Sequence, residues 1–196
     1  MFSDRQQYIV LDVETGGLDP TEHSILEISG ILWEPGKAIK PVFDCYVKED
    51  NIVTVPRAME INQIDLKQVY EQGKSPKQAI KYIKNRLDDV LGAERRPVKI
   101  LAHNASFDYG FLNRLYKLAG EKIYKDFYGR TIDSASILEF LMLADHIRGD
   151  RASADVLFES TNNQIKDSER HRSYYDALAT AKSMETLFNI YLNGGK

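Results

Sequence analysis

The sequence predicts an α/β domain in which helices flank a mixed β-sheet. Three strand-like segments follow one another near the start, and the pattern then changes to helical spacing with two further short strands. The 196 residues, 43% of them hydrophobic, are enough for one well-packed core and too few for two comfortable ones. We therefore expect residues 1–196 to form a single domain.

Turn residues separate the predicted elements. The first strand begins at Tyr8 and is broken at Gly16 and Gly17, and strands at 24–33 and 42–47 follow across short turns, as in an antiparallel meander. A helix begins at Ser75, a candidate N-cap with proline at the next position, and ends at Gly92. We further expect a helical turn at 58–61, strands at 98–102 and 131–132, and helices at 107–119, 134–144, 152–159 and 174–192.

Composition excludes several classes of protein. No apolar run approaches the length that spans a membrane. The first residues lack the basic start and apolar run of a secretory signal, and the single cysteine, Cys45, allows neither an internal disulfide nor a thiolate metal cluster. We expect Cys45 to be a small strand or core residue in an intracellular, cytoplasmic protein.

The charge pattern favours no particular partner. A formal net charge of −3 gives no general attraction to nucleic acid. Local basic groups stand at Arg95, Arg96, Arg148, Arg151, Arg170 and Arg172. We interpret most of them as ordinary solvated surface.

Two carboxylates stand at the end of the first strand. Residues i and i+2 of a strand point to the same side, so Asp12 and Glu14 project together while Val13 faces away. At a buried strand end the two acids repel each other and resist desolvation, and a divalent cation such as Mg²⁺ or Mn²⁺ would relieve both effects. An exposed strand end with two solvated acids explains the pattern equally well.

A third carboxylate, Asp108, lies in the first turn of the predicted helix at 107–119. It shares helical spacing with Phe111 and Leu115, which places an acid on an apolar face, where an ionised carboxylate is costly unless it is paired or metal-bound. The structural alternative is that Asn104 or Ser106 caps this helix and that the helix dipole favours the acid.

A fourth carboxylate, Asp176, enters the last helix five residues after His171. Asp176 lies at the edge of the apolar face, beside small residues that allow close approach to a neighbour. Ser173 followed three residues later by Asp176 also fits a variant capping box with no catalytic role. A lone histidine in a loop is usually a surface residue. His171 is therefore a candidate site residue only when it is considered together with the other motifs.

Together these segments resemble the DnaQ-like exonuclease family, in its histidine-containing DEDD branch. The resemblance rests on an Asp-x-Glu-Thr-Gly strand end at Asp12, a His-Asn-Ala-x-Phe-Asp helix start that ends at Asp108, and a His-x-x-x-x-Asp helix start from His171 to Asp176. The ordered set is far more specific than any one motif. Asp133 also resembles an acid that the family carries at this point, although a plain helix cap explains it as well.

The resemblance implies a ribonuclease H-like fold with a five-stranded mixed sheet, and 3′-to-5′ exonucleolytic hydrolysis that releases nucleoside 5′-monophosphates. It implies two divalent cations, Mg²⁺ or Mn²⁺, bridged by Asp12. Glu14 and Asp176 would help to hold the cation that activates water, and Asp108 the one that steadies the leaving oxygen. His171 would act as general base, a role that suits imidazole near neutral pH.

By the same resemblance, one group of residues would contact the 3′-terminal nucleotide. These residues are Thr15, Gly16, Gly17, Leu18, Asn62 and Phe107. Leu18 would pack against the base, whereas Phe107 is equally well explained as a core residue. Many relatives carry a histidine in the segment where this chain has Asn62, an amide that would hydrogen-bond a sugar or phosphate instead.

The leading hypothesis is a metal-dependent 3′–5′ exonuclease acting on single-stranded or frayed ends, with DNA proofreading or repair favoured over RNA 3′-end trimming. The two substrates would use the same site and differ in contacts near the 2′-hydroxyl. A catalytically silent domain that binds nucleic acid or docks on a polymerase is a third hypothesis, which the presence of all five site residues disfavours. A polymerase or repair assembly is a candidate partner, and no self-complementary patch indicates an oligomeric state.

Overall fold

The computed structural model describes residues 6–191 and contains a five-stranded sheet in the order β3-β2-β1-β4-β5. The strands are β1 (Tyr8–Thr15), β2 (Ile25–Trp33), β3 (Lys40–Tyr46), β4 (Lys99–Ala102) and β5 (Ile132–Asp133). β1 pairs antiparallel with β2, and β2 with β3, whereas β4 runs parallel to β1 and β5 runs parallel to β4. The predicted meander and mixed α/β sheet are confirmed.

The helices surround this sheet. They are α1 (Pro56–Asn62), α2 (Leu66–Gln72), α3 (Pro76–Leu91), α4 (Ala105–Leu118), α5 (Ser134–Leu143), α6 (Ala154–Ser160) and α7 (Ser173–Tyr191), with a 3₁₀ turn at Ile123–Lys125. The sequence did not predict α2, because this seven-residue helix buries only Val69 and shows no sustained period. The predicted end of the last helix, residue 192, lies outside the described residues.

Helix α3 begins and ends where its sequence predicts. The Ser75 hydroxyl accepts a hydrogen bond from the Gln78 amide, and the Gln78 side chain accepts one from the Ser75 amide, which together form a capping box. At the other end Gly92 adopts a φ of +90°, a conformation that glycine adopts without steric cost. Local sequence therefore fixes both ends of this helix.

The two faces of β1 pack against different helices. Ile9, Leu11 and Val13 join the buried cluster that α3 and α4 complete. Tyr8 and Val10 face the opposite cluster, which α5, α6 and α7 complete. Because side chains alternate along a strand, Asp12 and Glu14 continue the face of β1 that α7 covers.

Cys45 lies in β3, half-buried against the core, as predicted for a small strand residue. Burial raises the pKa of its thiol to about 12, so the side chain stays protonated near neutral pH. Within residues 6–191, the helices all fall short of the length and apolar character needed to cross a membrane.

Gly16 closes the end of β1 at a point of close backbone approach. Its amide donates a hydrogen bond to the Ser24 carbonyl at 2.7 Å, and its carbonyl accepts one from the Val55 amide, also at 2.7 Å. A Cβ atom added at Gly16 would lie 2.2 Å from the Val53 carbonyl oxygen, which is backbone and cannot turn aside. Only glycine fits this position without a shift of the strand end.

Gly16→Ala is therefore expected to lower the free energy of unfolding by about 1–3 kcal/mol, the usual cost of forcing atoms into a packed site. Thermal denaturation measures the loss. Gly129→Ala serves as the control, because its added Cβ would lie at an ordinary contact distance of 3.6 Å from the Tyr109 hydroxyl. Equal melting temperatures for the two variants would contradict the steric argument.

Candidate active site

Four carboxylates and one histidine converge beside the end of β1. Asp12 and Glu14 project from β1 towards α7, which brings Asp176 and the preceding His171 to the same place. A ligand atom from each of Glu14, His171 and Asp176 lies within 4.8 Å of the others. Asp108 reaches the group from α4, and its Oδ1 accepts a hydrogen bond from the Val13 amide at 3.2 Å. The structure thus brings all five predicted site residues together.

Burial raises the pKa values of the carboxyl groups in this cluster. It raises the pKa of Asp12 well above the usual value, and the charges of Asp108, Asp176 and Glu14 raise it further. The pKa values of Asp108 and Asp176 are also raised, in both cases mainly by burial. For Glu14, burial followed by repulsion from nearby acids raises the pKa to about 8. Burial and mutual repulsion of the acids therefore outweigh the positive charge near the cluster.

The raised pKa values predict how the stability of the metal-free protein depends on pH. The folded protein binds the Glu14 proton up to about pH 8, whereas the unfolded chain releases it near the ordinary glutamate pKa of 4.5. Because the folded state binds more protons in this range, stability falls as pH rises through it. We expect the melting temperature in EDTA to fall between about pH 5 and pH 8.

Glu14→Gln is expected to flatten this fall, since the amide does not titrate. Melting curves at several pH values in EDTA compare the two proteins. If the melting temperature of the unmodified protein instead rises steadily over the same pH interval, a raised pKa of Glu14 does not govern its stability.

Glu27, which sequence analysis did not single out, faces Glu14 across the β1–β2 pair. It is buried, and Arg172 donates hydrogen bonds to both of its carboxylate oxygens, the shortest at 2.9 Å. The Ser173 amide donates to Glu27 as well, at 3.3 Å. This ion pair neutralises Glu27 and joins the start of α7 to β2. The contact fixes the position of α7 on the sheet and therefore places Asp176 beside Glu14.

Arg170 supplies positive charge inside the cluster. Its Nη1 donates to Asp176 Oδ1, and its Nη2 donates to Asp155 of α6 at 2.7 Å. The other oxygen of Asp176 accepts the His171 amide at 2.9 Å. Both oxygens of Asp176 are thus held by the segment that carries His171.

The interpretation of most of these six arginines as solvated surface holds for Arg96, Arg148 and Arg151, which are exposed, and not for the other three. Arg170 and Arg172 hold Asp176 and Glu27, and the side chain of Arg95 is only 7% exposed and pairs with Asp88 and Asp126. Glu27 and Asp126 lie 145 and 31 residues from their arginines. Pairs so far apart in sequence carry no local signal, so only the fold reveals them.

The structural alternative of a variant capping box at Ser173 is also wrong. The Ser173 hydroxyl lies 2.7 Å from the Ser29 hydroxyl of β2 and is completely buried. Asp176 bonds the His171 amide instead of closing a box with Ser173. Tertiary contact with the sheet has replaced the local cap.

The start of α4 is held from the next strand and not by its own side chains. Asn104 occupies the N-cap position with a φ of +69°, but its side chain makes no capping bond. Asp133 Oδ1 accepts hydrogen bonds from the Asn104 amide at 2.8 Å and the Ala135 amide at 3.1 Å. The structural alternative, a side-chain cap from Asn104 or Ser106, is therefore wrong, whereas Asp133 caps α5 and also fixes the approach of α4.

His103 ties this region to the loop before α6. Its Nδ1 lies 3.1 Å from the Ser134 hydroxyl and its Nε2 lies 3.1 Å from the Ala152 carbonyl. Burial lowers the pKa of this histidine, so the ring is neutral near pH 7. It positions the loop that leads to Asp155 and has no contact that would serve proton transfer.

The predicted nucleotide-contact segment after Glu14 is compact. The Thr15 hydroxyl donates to the Gly17 carbonyl at 2.7 Å, and a Cβ at Gly17 would lie 2.4 Å from the His23 ring. Leu18 follows at the surface with 82% of its area exposed. An exposed leucine beside a buried acidic cluster suits contact with an apolar base face, and that contact stays a prediction.

The other two predicted substrate contacts have clear structural partners. Asn62 is 5% exposed, donates to the Thr15 carbonyl at 3.0 Å and accepts the Ile64 amide at 3.1 Å. Phe107 is half-buried, with its ring centroid 5.0 Å from that of Phe111. Both therefore support the walls of the site, and direct contact with a nucleotide stays a prediction for each.

Comparison with known proteins identifies the fold around this cluster. A family model described as "Exonuclease" (RNase_T) matches residues 9–184, which include all five clustered side chains. The chain belongs to this exonuclease family. The predicted resemblance to DnaQ-like exonucleases of the DEDDh type is confirmed, and divalent metal ions are typical of the family.

Curated relatives of the exonuclease domain differ in length and substrate. It is 32% identical over 114 residues to the 3′-5′ DNA exonuclease Cap18 of Escherichia coli, a match that covers 58% of each chain. It is 28% identical over 176 residues to a PolC-type DNA polymerase III of Listeria innocua, covering 89% of this chain and 11% of the polymerase. It is 27% identical over 201 residues to ribonuclease T of Wigglesworthia glossinidia brevipalpis, covering 95% and 86%. The domain thus spans little more than half of one relative and a small part of another.

Solved structures show the same fold at low identity. Escherichia coli exonuclease I in complex with a dT13 oligonucleotide superposes with a TM-score of 0.76 at 18% identity, covering 95% of the exonuclease domain and 41% of that chain. The nuclease domain of 3′hExo, a DEDDh family member bound to rAMP, gives 0.71 at 17% identity, covering 95% and 94%. The ribonuclease H-like fold implied by the sequence is confirmed.

Proposed function

We propose that this exonuclease domain hydrolyses single-stranded or frayed nucleic acid from the 3′ end and releases nucleoside 5′-monophosphates, with DNA as the favoured substrate. The observation that carries the proposal is the convergence of four carboxylates, two of them buried and two half-buried, with His171 at the end of β1. A similar 3′-5′ DNA exonuclease and PolC-type polymerases favour DNA.

The donor set fits hard divalent cations such as Mg²⁺ or Mn²⁺. Asp12, Glu14, Asp108 and Asp176 offer carboxylate oxygens, which are the ligands that these ions prefer. The raised pKa values support this assignment, because the nearby positive charge does not offset burial and repulsion of the acids, and two dications would nearly cancel four carboxylate charges. When bound, a pair of cations would supply an activated water and stabilise developing charge on the phosphodiester.

The chain's own residues supply orientation and proton transfer. His171 lies beside Glu14 and Asp176 at the half-buried edge of the cluster, where its ring would accept the proton of the attacking water. Leu18, exposed beyond the glycine pair, would pack on the terminal base and keep the 3′ end in line with the cluster. Asn62 would act indirectly, by fixing the strand end at Thr15.

RNA trimming is the second candidate. It is favoured by the similarity to ribonuclease T, which extends over 95% of this chain. The hydrolytic reaction would be the same as for DNA, and discrimination between RNA and DNA would depend on contacts around the 2′-hydroxyl. A polymerase assembly is the partner that relatives suggest, since PolC-type polymerase and DNA polymerase III subunit epsilon are both among them.

The experiment uses single-stranded DNA and RNA of the same sequence, each labelled at the 5′ end, with Mg²⁺, Mn²⁺ or EDTA. We expect a ladder that shortens from the 3′ end, requires metal and forms faster on DNA. Faster loss of the RNA would select the second candidate. Metal binding without cleavage of either substrate would instead favour a catalytically silent domain that binds nucleic acid or docks on a polymerase.

A further inference from the structure

Arg170 occupies an unusual position in the candidate active site. Its guanidinium bridges Asp176, whose side chain is 8% exposed, and Asp155, whose side chain is 73% exposed. It also lies over the Phe158 ring, 5.2 Å from the centroid. The arginine therefore connects a buried carboxylate of the cluster with an acid at the surface.

The charge of Arg170 reaches beyond Asp176. It lowers the pKa of Asp12 and of Glu14 against the stronger effects of burial and acid repulsion. Arginine remains protonated at every relevant pH, so this compensation is permanent while the side chain stays in place. A divalent cation and the guanidinium would thus be attracted by the same carboxylates.

Access of a cation to the Asp176 carboxylate depends on the segment that contains Arg170 and His171. Arg170 Nη1 holds one carboxylate oxygen and the His171 amide holds the other. His171 itself has a φ of +59°, in the left-handed region that non-glycine residues seldom adopt. A cation that takes Asp176 as a ligand must share these oxygens or displace the guanidinium.

We propose that Arg170 is a positioning residue that competes with the divalent cation for Asp176, with Asp155 retaining the guanidinium once the cation has displaced it. The proposal rests on the proposed function, because it assumes that Asp176 is a metal ligand. Asp155 accepts both Nε and Nη2 of Arg170, so this contact survives the loss of the bond from Nη1. Displacement by the cation would move Nη1 away from the carboxylate cluster, while Asp155 on α6 continues to accept Nε and Nη2.

The test measures Mn²⁺ binding to the intact protein by calorimetry, without nucleic acid and at low ionic strength. We expect Arg170→Gln to tighten Mn²⁺ binding by about fivefold, the size of a modest coupling between two sites. Arg148→Gln is the matched control, because it removes the same charge from an exposed position in the loop before α6. It should leave the affinity close to that of the unmodified protein.

The Asp155→Asn substitution tests the same competition by removing the acid that would hold the displaced guanidinium. Without its anchor, displaced Arg170 loses its partner, so Mn²⁺ binding should weaken, and this effect should disappear in the Arg170→Gln background. This exposed substitution also provides the test if Arg170→Gln folds poorly. Additive effects of the two substitutions would overturn the role of Asp155.

Two outcomes separate the proposals. An Arg170→Gln protein that folds and binds Mn²⁺ no more tightly than the unmodified protein would overturn the competition while leaving the proposed function intact. An unmodified protein that binds no Mn²⁺ would overturn the metal-dependent function itself.

Discussion

His171→Ala is expected to reduce turnover of single-stranded DNA by about 10²- to 10⁴-fold, the range that a positioned acid–base group contributes. The expected loss follows from the position of the ring, which lies within 4.8 Å of Glu14 and Asp176 while the four carboxylates remain in place. Single-turnover cleavage at saturating substrate measures the rate directly. Mn²⁺ calorimetry and a melting curve should show nearly intact metal binding and folding.

His146→Ala is the control for this experiment. His146 is exposed in the loop after α5, with its ring 5.2 Å from that of Tyr191 and away from the carboxylate cluster. It should cleave at the unmodified rate. If His171→Ala also cleaves at that rate, His171 has no part in proton transfer.

Asp12→Asn is expected to reduce cleavage more than a hundredfold, since even residues that only support metal ligands contribute about 10- to 100-fold. The same substitution should raise the melting temperature in EDTA. Asp12 lies half-buried beside Asp108, Asp176 and Glu14, and a neutral amide removes both the desolvation of a charge and its repulsion.

The size of the stability gain can be bounded. A gain of about 1 kcal/mol would raise the melting temperature of a chain of this length by about 2–4 °C. Asp50→Asn, at an exposed position outside the cluster, controls for loss of an acidic charge. Cleavage by Asp12→Asn at the unmodified rate in Mg²⁺ would refute the assignment of Asp12 as a metal ligand, and a lower melting temperature in EDTA would refute the repulsion argument.

Local sequence predicted the elements that depend on local chemistry. The capping box at Ser75 and the glycine at 92 fix α3 without help from the rest of the fold. Strand alternation placed Asp12 and Glu14 on one face of β1, and helical spacing placed Asp108 against the core. These features repeat at the period of a strand or a helix, so a single sequence displays them.

The long-range ion pairs and caps could not be predicted. Arg172 pairs with Glu27, and Arg170 pairs with Asp155, only because the fold brings them together. Asp133 accepts the backbone amide at the start of α4, where the alternative interpretation placed a cap from Asn104 or Ser106. A basic residue in a loop looks the same in sequence whether it is solvated or buried against an acid. The catalytic roles of the clustered residues likewise remain predictions, because geometry shows proximity and only kinetics shows function.

The distance in sequence between Asp12 on β1 and Asp176 on α7 has a consequence for synthesis. At about 5–20 residues per second, the ribosome needs roughly ten to thirty seconds between these two positions. A nascent chain that has already formed the β1–β2–β3 meander still lacks Asp176 and His171. Nuclease activity would therefore appear only when translation has passed α7, because the carboxylate cluster is incomplete before that point.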